Sequence, residues 1–268
     1  MRRALAAALG AAAVLLPAAS AQSSTSWSGN FQNGKLTQWT RAVAVPGDVE
    51  IVRSVHRETA YAAKITLHPG DRPTATNERA ELLASRGDAD GVSGASVWYG
   101  WSILFPSGFT PAPGFNIFTQ WLGARDSPDC AQYRSPNIAL KTIVTSSTTA
   151  PTYVFKVQGG PASCFATRRV YPVGTLARGV WHDFVLHVVW SSDAAKGLVS
   201  IWVDGRWIVQ NVHEPTLWAG SRGVFLKQGV YRRPARTVET VYLAATKRGH
   251  SFSAVLPRGS ATPAAAPR

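Results

Sequence analysis

The chain has 268 residues, with 28 Lys and Arg against 15 Asp and Glu and a formal net charge of +13. So few carboxylates leave little for chemistry that needs paired acids, and the excess of cations points to a polyanionic partner, with a generally basic composition lacking a dedicated ligand as the competing account. Beyond an N-terminal leader, no stretch reaches the roughly 18 apolar residues a membrane-spanning helix needs, so no membrane role is expected.

The leader reads Met1-Arg2-Arg3, then the apolar run Ala4 to Leu16, then the small triplet Ala19-Ser20-Ala21. This is the pattern of a secretory signal peptide over residues 1–21, and it predicts an exported mature chain starting near Gln22 with a net charge of +11 once Arg2 and Arg3 are removed. Export agrees with two cysteines, Cys130 and Cys164, which an oxidising compartment lets pair as a disulfide. A nucleophilic or metal-binding role for either is weaker, since each stands in a polar or Gly/Pro-rich loop without a partner set.

From there Gly and Pro punctuation separates short runs rich in Val, Ile, Trp, Tyr and Phe. They are Val97 to Phe105, Asn116 to Leu122, Asn137 to Val144, Thr152 to Val157, Phe184 to Trp190, Leu198 to Val203, Val224 to Val230 and Thr240 to Ala244. Such spacing predicts an all-β chain with few helices. In Trp181 to Trp190 the alternation sends His182, Phe184, Leu186, Val188 and Trp190 to the core. Asp204-Gly205 between two apolar runs predicts a tight hairpin. Residues 22–250 read as one domain without internal repeats, acting as a monomer, and residues 251–268 as a flexible Pro/Ala-rich tail.

Three segments carry candidate chemistry. In Phe225-Leu226-Lys227-Gln228-Gly229-Val230-Tyr231 the strand period puts Lys227, Gly229 and Tyr231 on one face, and an ammonium beside a phenol favours the phenolate and suits it to proton abstraction. A snorkelling Lys beside a half-buried Tyr is the plain alternative. In Asn77-Glu78-Arg79-Ala80-Glu81 the same period pairs Arg79 with Glu81, so that the guanidinium is held in position to grip a carboxylate; a surface ion pair of little worth is the other reading. Phe118-Thr119-Gln120-Trp121 carries a glutamine in an apolar strand, either a satisfied core amide or a groove-facing donor.

Together, in this order, these segments resemble the jelly-roll polysaccharide lyases, including the alginate-lyase, glucuronan-lyase and heparin-lyase-I-like families. Arg79-Ala80-Glu81-Leu82 is similar to the Arg-Ser/Thr-Glu-Leu motif of alginate lyases, and Phe225 to Tyr231 to their Tyr-Phe-Lys-Ala-Gly-X-Tyr strand. Gln120 falls where those enzymes place Gln-Ile/Val-His. Trp98 to Pro106, Trp181 to Val185 and Ile201 to Gly205 resemble framework strands of the glucuronan-lyase and heparin-lyase-I-like branch, and the likeness spans about residues 45–245. The chain departs from the alginate lyases at Leu122, where they carry a catalytic histidine, so the Gln-plus-Tyr arrangement of the glucuronan-lyase branch fits better.

The resemblance implies a two-sheet antiparallel β-sandwich, a concanavalin-like jelly roll with a concave groove, that cleaves a uronate-containing acidic polysaccharide such as glucuronan or alginate by β-elimination. It implies Tyr231 as base and acid, Lys227 as its activating cation, and Arg79 and Gln120 as the groups that neutralise the substrate carboxylate. Glu81, Lys141, Arg232, Arg233, Trp121 and His56 are the expected substrate-binding residues, with Trp101 and Trp218 as further candidates for stacking on sugar rings. No cofactor is expected: the structural Ca²⁺ of some relatives sits beside an Asp in the final strand, and Val241-Tyr242-Leu243-Ala244-Ala245 has none.

Three competing functions are weighed against this one. A glycoside hydrolase needs two carboxylates across the bond, and no Glu-X-Asp-X-X-Glu strand is present. A non-catalytic carbohydrate-binding module or lectin would use the same groove without needing Tyr231. A nucleic-acid partner is not expected, because recognised motifs are absent and the basic residues are dispersed.

Overall fold

The structure, a computed structural model, describes residues 24–74, 77–84, 91–123, 135–144, 151–160 and 167–260. The leader over residues 1–21, both Cys130 and Cys164, and residues 261–268 lie outside the described residues. The strands are β1 (Thr25–Gly29), β2 (Arg41–Val43), β3 (Val49–Val52), β4 (Ala62–Leu67), β5 (Glu78–Leu83), β6 (Ser96–Leu104), β7 (Gly114–Gly123) and β8 (Ile138–Val144). They continue with β9 (Thr152–Gly159), β10 (Thr167–Gly174), β11 (Trp181–Val189), β12 (Leu198–Val203), β13 (Arg206–His213), β14 (Val224–Arg232) and β15 (Glu239–Gly249), followed by one short helix, α1 (Phe252–Val255).

Two antiparallel sheets pack face to face as a jelly-roll β-sandwich. One has the order β13-β12-β11-β6-β15-β4-β3, with β1 also paired to β15; the other, seven-stranded, has the order β10-β9-β8-β7-β14-β5-β2. All eight predicted runs fall on strands. The Asp204-Gly205 hairpin is present as well: both residues have positive φ, 49° and 75°, in the two-residue turn that the twist of paired strands favours. Strands β1 to β3 are missed as apolar runs because they are short, and β4 and β10 because Lys64 in the one and Arg168, Arg169 and Pro172 in the other interrupt their apolar residues.

The core lies between the sheets and is aromatic at its centre. From the larger sheet, Trp101 on β6 stacks on Phe184 on β11 with centroids 5.3 Å apart, and from the other sheet Trp121 on β7 meets Trp101 edge-on at 5.5 Å. Phe155 on β9 closes the group against both Trp101 and Phe184. Each such side chain contributes about 1.5–3 kcal/mol by burial, and the ring pairs add about 0.5–1.5 kcal/mol. Two expectations are corrected here. Trp121 and Trp101 are 0% and 1% exposed inside this core, and Trp218 is also buried, so none of the three presents a ring to a sugar.

The outer face of the larger sheet takes up the first residues of the expected tail. Ser251 caps α1 by accepting from the Ala254 N–H, and Phe252 packs on Trp202 and Trp98 with centroids 5.3 and 5.9 Å away. Gly100 permits this contact, since a Cβ there would stand 1.9 Å from the Val255 carbonyl oxygen. The start of the expected tail, Phe252–Val255, is therefore packed, and Phe252, Ala254 and Val255 are the residues that bury.

Arg232 ties the two sheets together near one end of β14. It is 0% exposed, with Nε 3.0 Å from Glu78 on β5 and Nη1 2.8 Å from Glu239 on β15, and it donates to the Thr237 carbonyl. Its expected role of holding a flanking uronate is excluded by that burial. Replacing Arg232 by Met leaves two buried carboxylates uncompensated, and should lower unfolding stability by about 3–5 kcal/mol in a denaturant titration.

Candidate active site

Strand alternation builds the site on the exposed face of the seven-stranded sheet. On β14, Leu226 and Val230 enter the core and Gln228 points inward, accepting from Thr246 on the opposite sheet at 2.7 Å. Lys227, Gly229 and Tyr231 consequently share the groove face. Pairing sets Arg79 beside Tyr231 from β5, and Gln120 beside Lys227 from β7. Between these two positions β14 slips register against β7 at Gly229, whose φ is 149°; a Cβ there would lie 2.1 Å from the Ala80 carbonyl oxygen.

Glu81 organises the polar groups. It is 1% exposed, yet it accepts a short hydrogen bond from the Gln120 amide and lies 3.5 Å from Arg79 Nη1 and 3.7 Å from Lys227 Nζ. Its carboxylate is thus satisfied by the protein's own donors, and the expected contact with substrate is replaced by a positioning role. Arg79 in turn lays its guanidinium over the Tyr231 ring, 4.2 Å from the centroid, while Asn77 donates to the Tyr231 hydroxyl at 2.7 Å. Arg79 Nε has no acceptor among the described residues. Gln120, Glu81, Arg79 and Tyr231 therefore form one continuous chain of contacts.

The expected activation of Tyr231 by Lys227 is corrected. Four residues of strand separate the two backbones by about 13 Å, and Lys227 turns to Glu81 and the Phe225 ring instead. The cation beside the phenol is Arg79. Burial lowers the Lys227 pKa, and the nearby Arg79 and Arg41 cations act in the same direction while Glu81 opposes them.

Tyr231 opens onto a cleft of about 320 Å³ lined with Asn77, Phe115, Ile117, Ser135, Pro136, Lys141, Lys156 and Arg168. Lys141 is placed in it as expected, and Arg233 is exposed nearby with its guanidinium 5.9 Å from the Phe115 ring. His56 is not: it is exposed next to Arg57, whose guanidinium pairs with Asp183 on β11 of the opposite sheet. Asn77, Lys156 and Arg168 are additions. Asn77 lies two residues before Arg79, so the period that united Arg79 with Glu81 reaches it too, and Lys156 stands out as a charge between Phe155 and Val157.

Among the described residues one group has metal-ligating donors together, Asp48, His68 and Asp71, with His68 Nδ1 3.2 Å from a carboxylate oxygen of each Asp. It sits beside β3 and β4 at an edge of the other sheet, where His68 meets both carboxylates while Asp48 Oδ2 is buried without a hydrogen-bond partner among the described residues.

Solved structures share this architecture. The endo-β-1,4-glucuronan lyase from the fungus Trichoderma reesei superimposes with a TM-score of 0.73 at 19% identity, covering 88% of this chain and 99% of that one. The alginate lyase Aly36B, as a mutant in complex with alginate trisaccharide, gives 0.60 at 9% identity over 84% and 97% of the two chains. The catalytic domain of a glycoside hydrolase family 131 protein from Coprinopsis cinerea gives 0.57 at 14% identity over 88% and 99%, so the fold by itself does not separate lyases from hydrolases. No curated protein matches the sequence. The family model described as polysaccharide lyase matches residues 31–247, most of the chain, and the protein accordingly belongs to the polysaccharide lyase family and is a lyase.

Proposed function

We propose that this lyase is exported and cuts a uronate-containing polysaccharide by β-elimination, with Tyr231 as the group that takes the C5 proton. The observation that carries this reading is the Tyr231 hydroxyl held by Asn77 in an open cleft, with the Arg79 guanidinium against its ring. The C5 proton of a uronate becomes acidic enough only when the neighbouring carboxylate is neutralised, which calls for donors fixed beforehand where negative charge grows. Arg79 supplies such a donor, held in place by Glu81; Gln120, expected to share that role, is 2% exposed with its amide on Glu81 and outside the cleft lining, so it fixes Glu81 in turn.

In the reaction Tyr231 removes the C5 proton as the phenolate, and the resulting electron pair forms the C4–C5 double bond. The C4–O bond breaks, and the glycosidic oxygen leaves with its electrons and takes a proton. A phenol on the same face as the leaving oxygen can return that proton. The products are an unsaturated uronate and a new reducing end, with no water consumed.

A hydrolytic alternative is disfavoured because the described lining of the cleft contains no carboxylate, and the nearby Glu81 is already engaged. Among uronate polymers, glucuronan is the first to test, on the strength of the Trichoderma reesei likeness. Alginate follows.

The reaction is read by the ultraviolet absorbance of the unsaturated product. Tyr231→Phe should lower kcat by about 10²–10⁴-fold while retaining oligouronate affinity by calorimetry, the range expected for losing a general acid–base group; near-normal turnover would remove Tyr231 from the chemistry. A wild-type protein that binds these polymers without releasing unsaturated product would establish the binding-module alternative. Glu81→Gln should lower kcat about 100-fold through misplaced donors while KM moves less, and a raised KM with unchanged kcat would show that Glu81 acts only in binding.

A further inference from the structure

The side of the cleft facing Tyr231 holds three cations with no described carboxylate among them. Lys141 on β8 lies in the cross-strand row Arg79, Tyr231, Ile117, Lys141, and Lys156 on β9 lies in the row Lys227, Gln120, Ala139, Lys156. Arg168 enters from β10, the next strand. Lys156 is only 5% exposed, and its ammonium donates to the Ser135 hydroxyl at 2.6 Å. Burial, followed by repulsion from Lys141 and Arg168, pulls the Lys156 pKa down to about 7, and burial with the Arg168 cation also lowers Lys141. A buried ammonium beside two like charges is costly in an empty cleft and is relieved by an anion.

We propose that Lys141, Lys156, Arg168 and Ser135 form a second anion-binding position, which takes the carboxylate of the next acidic sugar along the chain from the one deprotonated by Tyr231. This rests on the β-elimination reading and deepens it, because it makes a polymer charged on successive sugars the preferred substrate class. Tyr231 on β14 and Lys141 on β8 are separated by β7 alone, two inter-strand steps of about 4.8 Å each, and their side chains converge on the same cleft.

A pH dependence follows from the same geometry. Among the described residues, the charged groups facing Lys156 are Lys141 from β8 and Arg168 from β10, with Ser135 from the segment before β8 and Tyr231 across the cleft. Bound carboxylate favours the protonated lysine. Binding therefore takes up a proton above pH about 7, so KM is flat below that value and rises as Lys156 loses its charge.

The test compares glucuronan with partly carboxyl-reduced glucuronan, in which some charged sugars have become neutral ones. Wild type should show a KM about tenfold higher on the reduced polymer, the size of one charge-assisted hydrogen bond. Lys156→Met should raise KM on intact glucuronan by about the same factor and erase the discrimination, falling on KM rather than kcat. Lys156→Arg, which keeps the charge at all working pH values, should discriminate as wild type does and remove the rise above neutral pH. Circular dichroism melting of each variant confirms that the fold is retained.

An unchanged KM and unchanged discrimination in folded Lys156→Met would overturn the second position while leaving the elimination intact. Wild type that cleaves neither polymer nor alginate would overturn the reading on which it rests. A preference for sulfated over carboxylated chains that Lys156→Met abolishes would show that the position takes sulfate esters, and would also overturn the proposal.

Discussion

The buried Glu81 carboxylate is the interaction on which the groove depends. It sits at the surface of a sheet whose other face is sealed by Trp121, Phe155, Leu226 and Val230, and it collects an amide and two cations from three adjacent strands. An anion this deeply buried is tolerable only with several donors around it, and the guanidinium among them is the group a negatively charged sugar would otherwise meet unrestrained. By holding Arg79 in a fixed direction, Glu81, itself fixed by Gln120, converts a side chain with many rotamers into a preorganised surface. The guanidinium then rests on the Tyr231 ring and limits where the phenol can lie.

Backbone geometry provides the other half of that preorganisation. Gly229 lets β14 slip one residue against β7 at the middle of the site, so Lys227 stays opposite Gln120 while Tyr231 comes opposite Ile117. No side chain fits there because the Ala80 carbonyl is too close. One residue beyond Tyr231, the buried Arg232 anchors the same strand to both sheets through Glu78 and Glu239. The flexible part of the site is thus confined to side chains over a rigid floor.

The charge of the protein acquires a local meaning in this arrangement. Cations are met on six of the seven strands of the groove sheet: Arg41, Arg79, Lys227, Lys141, Lys156 and Arg168, with Glu81 among them. Burial first, and repulsion from neighbouring cations after it, lowers the pKa of Lys227, Lys141 and Lys156. A polymer carrying regularly spaced carboxylates relieves that repulsion in a way a neutral chain cannot.

Period-two alternation, turn chemistry and the placement of apolar runs are local properties, so the all-β class, the Asp204-Gly205 hairpin and the common face of Lys227 and Tyr231 were legible in the chain itself. The same period also carried warnings. Arg232 and Trp121 each stand one residue from a groove-facing side chain, Tyr231 and Gln120, and parity sends them to the other face, while Asn77 shares the parity of Arg79. What alternation leaves open is distance between strands and the order in which strands meet. That Arg79 rather than Lys227 covers the phenol, that Glu81 binds three donors instead of substrate, and that Lys156 and Arg168 line the cleft of Tyr231 follow from the pairing order β10-β9-β8-β7-β14-β5-β2. Only the folded sheet decides that order, because it brings together residues up to 154 positions apart, as in Asn77 and Tyr231, through contacts that no local pattern encodes.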